Sequence, residues 1–134
     1  MLKRGYKQLI EDALERIHTL SVDEAQTKLG DPGVVFIDIR EAKELEREGI
    51  IPGAFNAPRG MLEFWVDPES PYHKEIFASG KKFVFFCAGG LRSALAAKTA
   101  QDMGLKPVAH MGGGFAAWRD AGGPIEKWEP KKKG

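Results

Sequence analysis

Two stretches of the chain, Val34-Val35-Phe36-Ile37-Asp38-Ile39 and Lys82-Phe83-Val84-Phe85-Phe86-Cys87, are almost unbroken runs of β-branched and aromatic residues. A strand with one face in water alternates apolar and polar residues. A run without alternation predicts a strand buried on both faces, as in a parallel sheet covered by helices. Pro107-Val108-Ala109-His110-Met111 reads as a third strand, and Ala54-Phe55-Asn56-Ala57 as a short one.

Helical patterns lie between these runs. Tyr6, Leu9, Ile10, Ala13, Leu14 and Ile17 recur at helical spacing with charged residues between them, which predicts an amphipathic helix. Ser21 and Glu24 form a capping box for a short helix that stops at Gly30. Glu41 to Glu48, Ser93 to Met103 (with alanine at 94, 96, 97 and 100) and Phe115 to Ala121 complete the set. Residues 59–80 are broken by Pro68 and Pro71, with a helical turn or two expected from Tyr72 to Ala78. Strands alternating with helices predict an α/β domain: a mainly parallel central sheet flanked by helices on both faces. The 134 residues suffice for one such domain. We read residues 1–19 as an amphipathic extension, 20–126 as the domain and 127–134 as a flexible basic tail. The first helix has an apolar stripe that either packs on the domain or supports a homodimer, so both monomer and dimer stay open.

Charge and cysteine usage narrow the function. Twenty Lys and Arg against 19 Asp and Glu give a net charge of +1, which provides no global field for nucleic acid or an anionic membrane. No apolar run approaches the roughly 18–20 residues that span a bilayer, and Met1 to Gly5 lead into an amphipathic pattern. The expected compartment is the cytoplasm. The chain has one cysteine, Cys87, so a disulfide framework, a cysteine-based zinc site and a self-contained dithiol redox cycle are excluded. His18, His73 and His110 have no metal-ligand spacing, and no metal or other cofactor is expected.

Cys87 ends a predicted central strand, immediately before a glycine-containing loop and a helix. Ligands of open α/β sheets bind at that edge. A loop of small residues turns backbone N–H groups inward, and a helix start adds partial positive charge, so a thiolate there is favoured by amides, dipole and Arg92. The alternative is a small buried hydrophobe continuing the Phe85-Phe86 strand. A cysteine-protease arrangement needs a histidine base, and no histidine lies in a motif for that role. His110, on a strand, reads as a satisfied core or rim residue.

Four segments together resemble the rhodanese superfamily. Asp38-Ile39-Arg40-Glu41-Ala42-Lys43-Glu44 is similar to its D-x-R-x-x-x-E segment. Gly49-Ile50-Ile51-Pro52-Gly53-Ala54 is similar to its G-H-I-P-G-A turn, with Ile51 where histidine is usual. Cys87-Ala88-Gly89-Gly90-Leu91-Arg92-Ser93 resembles the C-x-x-G-x-R-S active-site loop, and Gly113-Gly114-Phe115-Ala116-Ala117-Trp118 the G-G-x-x-x-W signature. The resemblance implies a sulfurtransferase fold and activity. Cys87 would take a sulfane sulfur, for instance from thiosulfate, as a persulfide and pass it to cyanide or a thiol.

The amides of residues 88–93 would cradle that anion, from Ala88, Gly89, Gly90 and Leu91 to Arg92 and Ser93. The partner would be a small sulfur compound or a protein carrying a persulfide or thiol. Asp38 and Arg40 are expected to hold the loops, Arg59 is a candidate for the substrate rim, Glu44 a solvated helix residue open to pairing with a neighbouring base, and Trp118 core. Cysteine-dependent phosphatases related to this fold carry one residue more between cysteine and arginine, enough to enclose phosphate. Here four residues, 88 to 91, stand between them. A non-catalytic binding module on the same fold is the other alternative.

Overall fold

The computed structural model describes residues 1–130. Helix α1 (Tyr6–Arg16) leads into strand β1 (His18–Leu20), helix α2 (Val22–Lys28) and strand β2 (Val34–Asp38). Helix α3 (Ala42–Glu48), strand β3 (Phe55–Asn56) and helix α4 (Leu62–Val66) follow, with single 3-10 turns at Arg59–Met61 and Glu75–Ala78. Strand β4 (Lys82–Phe86), helix α5 (Leu91–Asp102), strand β5 (Val108–Met111) and helix α6 (Gly114–Asp120) complete the described chain. The five strands form one parallel sheet in the order β1-β5-β4-β2-β3.

The two unbroken apolar runs are the inner strands β2 and β4, and both faces of β4 are buried. Phe83, Phe85 and Cys87 pack with Ala13 of α1, Leu62 of α4 and the alanines 94, 96, 97 and 100 of α5. Val84 and Phe86 face the other way, toward Ala25 of α2 and Phe115 and Trp118 of α6. Successive strand side chains alternate between faces, so one run lines two cores. The four small alanines let α5 lie close to the sheet.

Three readings change. His18 and Thr19, assigned above to the N-terminal extension, belong to the sheet: β1 pairs with β5 through His18–Ala109, Thr19–His110 and Leu20–Met111. Helix α1 in turn places Ile10 and Ala13 in the interior, and its first turns leave Tyr6 and Leu9 exposed. Residues 59–66 form a 3-10 turn and α4, which the proline-broken reading of that segment did not separate. Helix α5 starts at Leu91 and not at Ser93, so Arg92 and Ser93 stand in its first turn. Of the basic tail, Lys131 to Gly134 lie outside the described residues.

Candidate active site

Cys87 follows the last residue of β4 and is 1% exposed. Two backbone amides converge on its sulfur: the N–H of Gly90 donates to Sγ at 3.1 Å and that of Ser93 at 3.3 Å. The turn that aims them depends on Gly90, which caps α5 at φ 101°. A side chain rarely adopts that conformation, and a Cβ there would also come within 3.2 Å of the Gly113 nitrogen. The loop is held from behind by the start of α6. The N–H groups of Phe115 and Ala116 donate to the carbonyls of Cys87 (2.8 Å) and Ala88 (3.1 Å). Gly114 makes this approach possible: a Cβ on it would lie 2.5 Å from the Cys87 carbonyl oxygen. With those carbonyls bonded to α6, the amides of the turn are left to face the sulfur.

A chain of side chains starts at the same sulfur, buried through His110 and ending at exposed Thr19. Sγ lies 3.6 Å from Ser93 Oγ, which lies 3.1 Å from Nδ1 of His110, whose Nε2 lies 3.0 Å from Thr19 Oγ1. His110 is 2% exposed, and burial pushes its imidazolium form down, so it is neutral at ordinary pH. Alternation along β5 puts His110 on the same face as Val108, toward α5, and that parity could have been read from the sequence. The contact with Thr19 could not, because a three-residue strand carries no readable period.

Arg92 is held chiefly by Glu44 and, more weakly, lies close enough to Cys87 for the sulfur to favour its charge as well. Its Nη1 and Nη2 donate to Oε1 and Oε2 of Glu44 at 2.8 and 2.9 Å, a two-point ion pair. Arg92 holds the Glu44 carboxyl down at about 2 against an ordinary 4.5, and Glu44 raises the guanidinium in turn. Glu44 is half-buried and pairs with a base, Arg92; through its Oε1 it also accepts the Glu41 N–H that opens α3.

Asp38 and Arg40 are each 1% exposed. Asp38 Oδ1 accepts from the backbone N–H and Nε of Arg40, both at 3.0 Å, and Oδ2 accepts from Nη2 at 2.9 Å. Nη2 also donates to the Gly49 carbonyl, and the guanidinium lies 4.0 Å over the ring of Phe115. The turn with Ile51 is therefore tied through backbone carbonyl and Arg40, while Ile51 itself is wholly buried against the core on the α2 and α6 side. Arg59 makes its contacts away from the Cys87 loop. It pairs with Glu63 at 2.8 Å and reaches Thr99. Thr99 is six residues past Ser93 on α5, about 9 Å along the axis. A shallow pocket of about 190 Å³ opens beside Ala88, between Arg40, Glu44, Phe115 and Arg119.

The rhodanese-like domain model matches residues 21–121. The chain belongs to the rhodanese-like family. Relatives in this family include a thiosulfate:glutathione sulfurtransferase of Saccharomyces cerevisiae, 30% identical over 82% of this chain and 84% of that protein. A thiosulfate sulfurtransferase/rhodanese-like domain-containing protein 3 of Mus musculus is 29% identical over 71% of this chain, and the match spans 64% of its length. A solved structure from Rhodopseudomonas palustris, a protein of unknown function described as a "possible tyrosine phosphatase", is 62% identical with a TM-score of 0.91. It covers 94% of this chain and 97% of its own. The rhodanese-like sheet therefore presents Cys87, the amides of Gly90 and Ser93, and the Arg92–Glu44 pair at one end. Among the described residues no helix is long and apolar enough to cross a membrane.

Proposed function

We propose that this rhodanese-like protein is a sulfurtransferase that carries a sulfane sulfur as a persulfide on Cys87. The observation that carries the reading is the pair of amides, Gly90 and Ser93, aimed at Sγ within a loop whose arginine is braced by Glu44. The thiolate attacks the outer sulfur of the donor. An Sγ–S bond forms, the donor's own sulfur bond breaks, and sulfite or a thiolate leaves with the electron pair. A cyanide or thiolate acceptor then takes the outer sulfur and returns Cys87 as thiolate. The charge sits near the same amides throughout, and pre-aimed donors of this kind contribute up to about 3–4 kcal/mol each. The cycle needs one cysteine, and the chain has one.

Two features point to a persulfide of a small thiol or a protein as donor, in preference to free thiosulfate. Residues 88 to 91 bring no charge, and Arg92 is neutralised by Glu44, so a free dianion finds little grip. Leu91, 55% exposed, makes the lip of the loop apolar. The 62% identical protein described as a possible tyrosine phosphatase favours a second reading, phosphate-ester hydrolysis. That chemistry needs arginine to fork two phosphate oxygens, and here the two-point pair with Glu44 fixes the guanidinium on a carboxylate already.

Intact mass of the reduced protein before and after a persulfide donor tests the proposal. We expect a gain of one sulfur atom, reversed by cyanide and absent in Cys87→Ser. No gain with any sulfur donor, or hydrolysis of an aryl phosphate that depends on Cys87, would sink it.

A further inference from the structure

We infer that His110 is the proton acceptor for Cys87, acting through the hydroxyl of Ser93. The inference rests on reading Cys87 as the nucleophile, but not on which sulfur compound it meets. The contacts from Cys87 to Thr19 admit a polarity that runs from the thiol to the ring. With neutral His110 protonated on Nε2, that N–H donates to Thr19 Oγ1 at 3.0 Å, which leaves Nδ1 as an acceptor. Ser93 Oγ–H then donates to Nδ1 at 3.1 Å, and the Cys87 thiol donates to Ser93 Oγ at 3.6 Å. Ser93 Oγ also lies 3.3 Å from the Gly90 carbonyl oxygen, a second acceptor for its hydroxyl, slightly farther than His110 Nδ1 at 3.1 Å.

Two proton shifts convert this arrangement into its ionised form. The S–H bond breaks as an Oγ–H bond forms, and the original Oγ–H bond breaks as Nδ1–H forms. No atom is gained or lost, and the products are a thiolate and an imidazolium. The ionised form is satisfied at both ends. Sγ accepts from Gly90 N–H, Ser93 N–H and Ser93 Oγ–H, while His110 donates to Ser93 Oγ and Thr19 Oγ1. Burial opposes the imidazolium, which keeps His110 unprotonated and available at rest. The other titratable groups on the elements packed against β5 are His18 on β1, Lys82 on β4, and Arg92, Lys98 and Asp102 on α5. None of them enters a hydrogen bond with His110; Lys98 pairs with Asp102 and Arg92 with Glu44. His110 does not touch the sulfur, so it acts by accepting and returning a proton through Ser93.

The pH profile of Cys87 alkylation by iodoacetamide tests this without any sulfur donor. Burial of the thiol scales every rate alike and leaves the shape of the profile unchanged. In the wild type the rate should stay level across neutral pH and fall only where His110 itself becomes protonated. In His110→Asn and Ser93→Ala the level region should vanish, the rate falling about tenfold per pH unit wherever the protonated thiol dominates. Both variants should regain the wild-type rate in alkali, which a merely distorted site would not do. Ser93→Thr keeps the hydroxyl and should keep the level region. A level region retained in His110→Asn, or missing from the wild type, overturns the inference. A failed persulfide mass gain beside an intact level region would instead fault the sulfurtransferase reading alone.

Discussion

Asp38 and Arg40 put two opposite charges where water cannot reach them. Removing two ions from water is costly, and their mutual attraction offsets that cost only while both are present. Asp38→Asn keeps the shape of the side chain but leaves the guanidinium over Phe115 without its counter-charge. We expect a loss of about 3–5 kcal/mol of unfolding free energy. That is a large part of the roughly 5–15 kcal/mol that holds a domain folded. Urea denaturation measures it, and a loss below about 1 kcal/mol would show that the pair is not needed. The D-x-R spacing made this pair legible in the sequence, since residues two apart at a strand end can meet through their own backbone. The partner of Arg92 was not legible. Glu44 lies 48 positions away, and nothing in the local pattern of either residue specifies the other. The bond between His110 and Ser93 was hidden for the same reason, 17 positions apart on two elements that only the fold brings together.

The ion pair of Glu44 and Arg92 ties the start of α3 to the start of α5, and so fixes the loop between β4 and α5 from outside. Its stability contribution depends on pH with a definite sign. The folded carboxyl ionises at about 2 against an ordinary 4.5. Its contribution is therefore fully present above 4.5 and is lost as pH falls from 4.5 toward 2. In Glu44→Gln the capping of α3 is retained, because glutamine serves that position too. The variant should be less stable than the wild type at neutral pH, and the difference should close over that acid window. Arg92 is 42% exposed, so the difference should be modest, about 1 kcal/mol or less. Thermal unfolding at a series of pH values measures it; a gap that persists unchanged at pH 2 would contradict the assignment. At this scale the buried strands were legible because their apolar runs have no alternation, and α5 because of its alanines. Strand β1 was not: three residues, His18-Thr19-Leu20, are too few to carry a period. Helix α5 starts two residues before the alanine pattern announces it, because Gly90, in a left-handed conformation, opens the helix there.

Over the whole molecule the sheet has a graded interior. Strand β4 is third of five, paired on both sides, with Phe85 and Phe86 wholly buried. We expect amide hydrogen exchange to be slowest in β4 and β2 and faster in β1 and β3, since opening free energy rises toward the doubly paired, doubly covered strands. Equal protection in β1 and β4 would mean that the α1–β1 unit is as firmly bound as the centre. The alternation of strands and helices made this layered plan legible from the sequence alone, whereas the order of the strands depends on β1 joining beside β5. That order has a consequence for how the molecule meets its neighbours. The two outer strands, β1 and β3, have three and two residues, so each free border of the sheet offers hardly any row of unpaired backbone groups. A foreign strand finds almost no template there, and crowding many copies together does not by itself invite them to zip into one extended sheet.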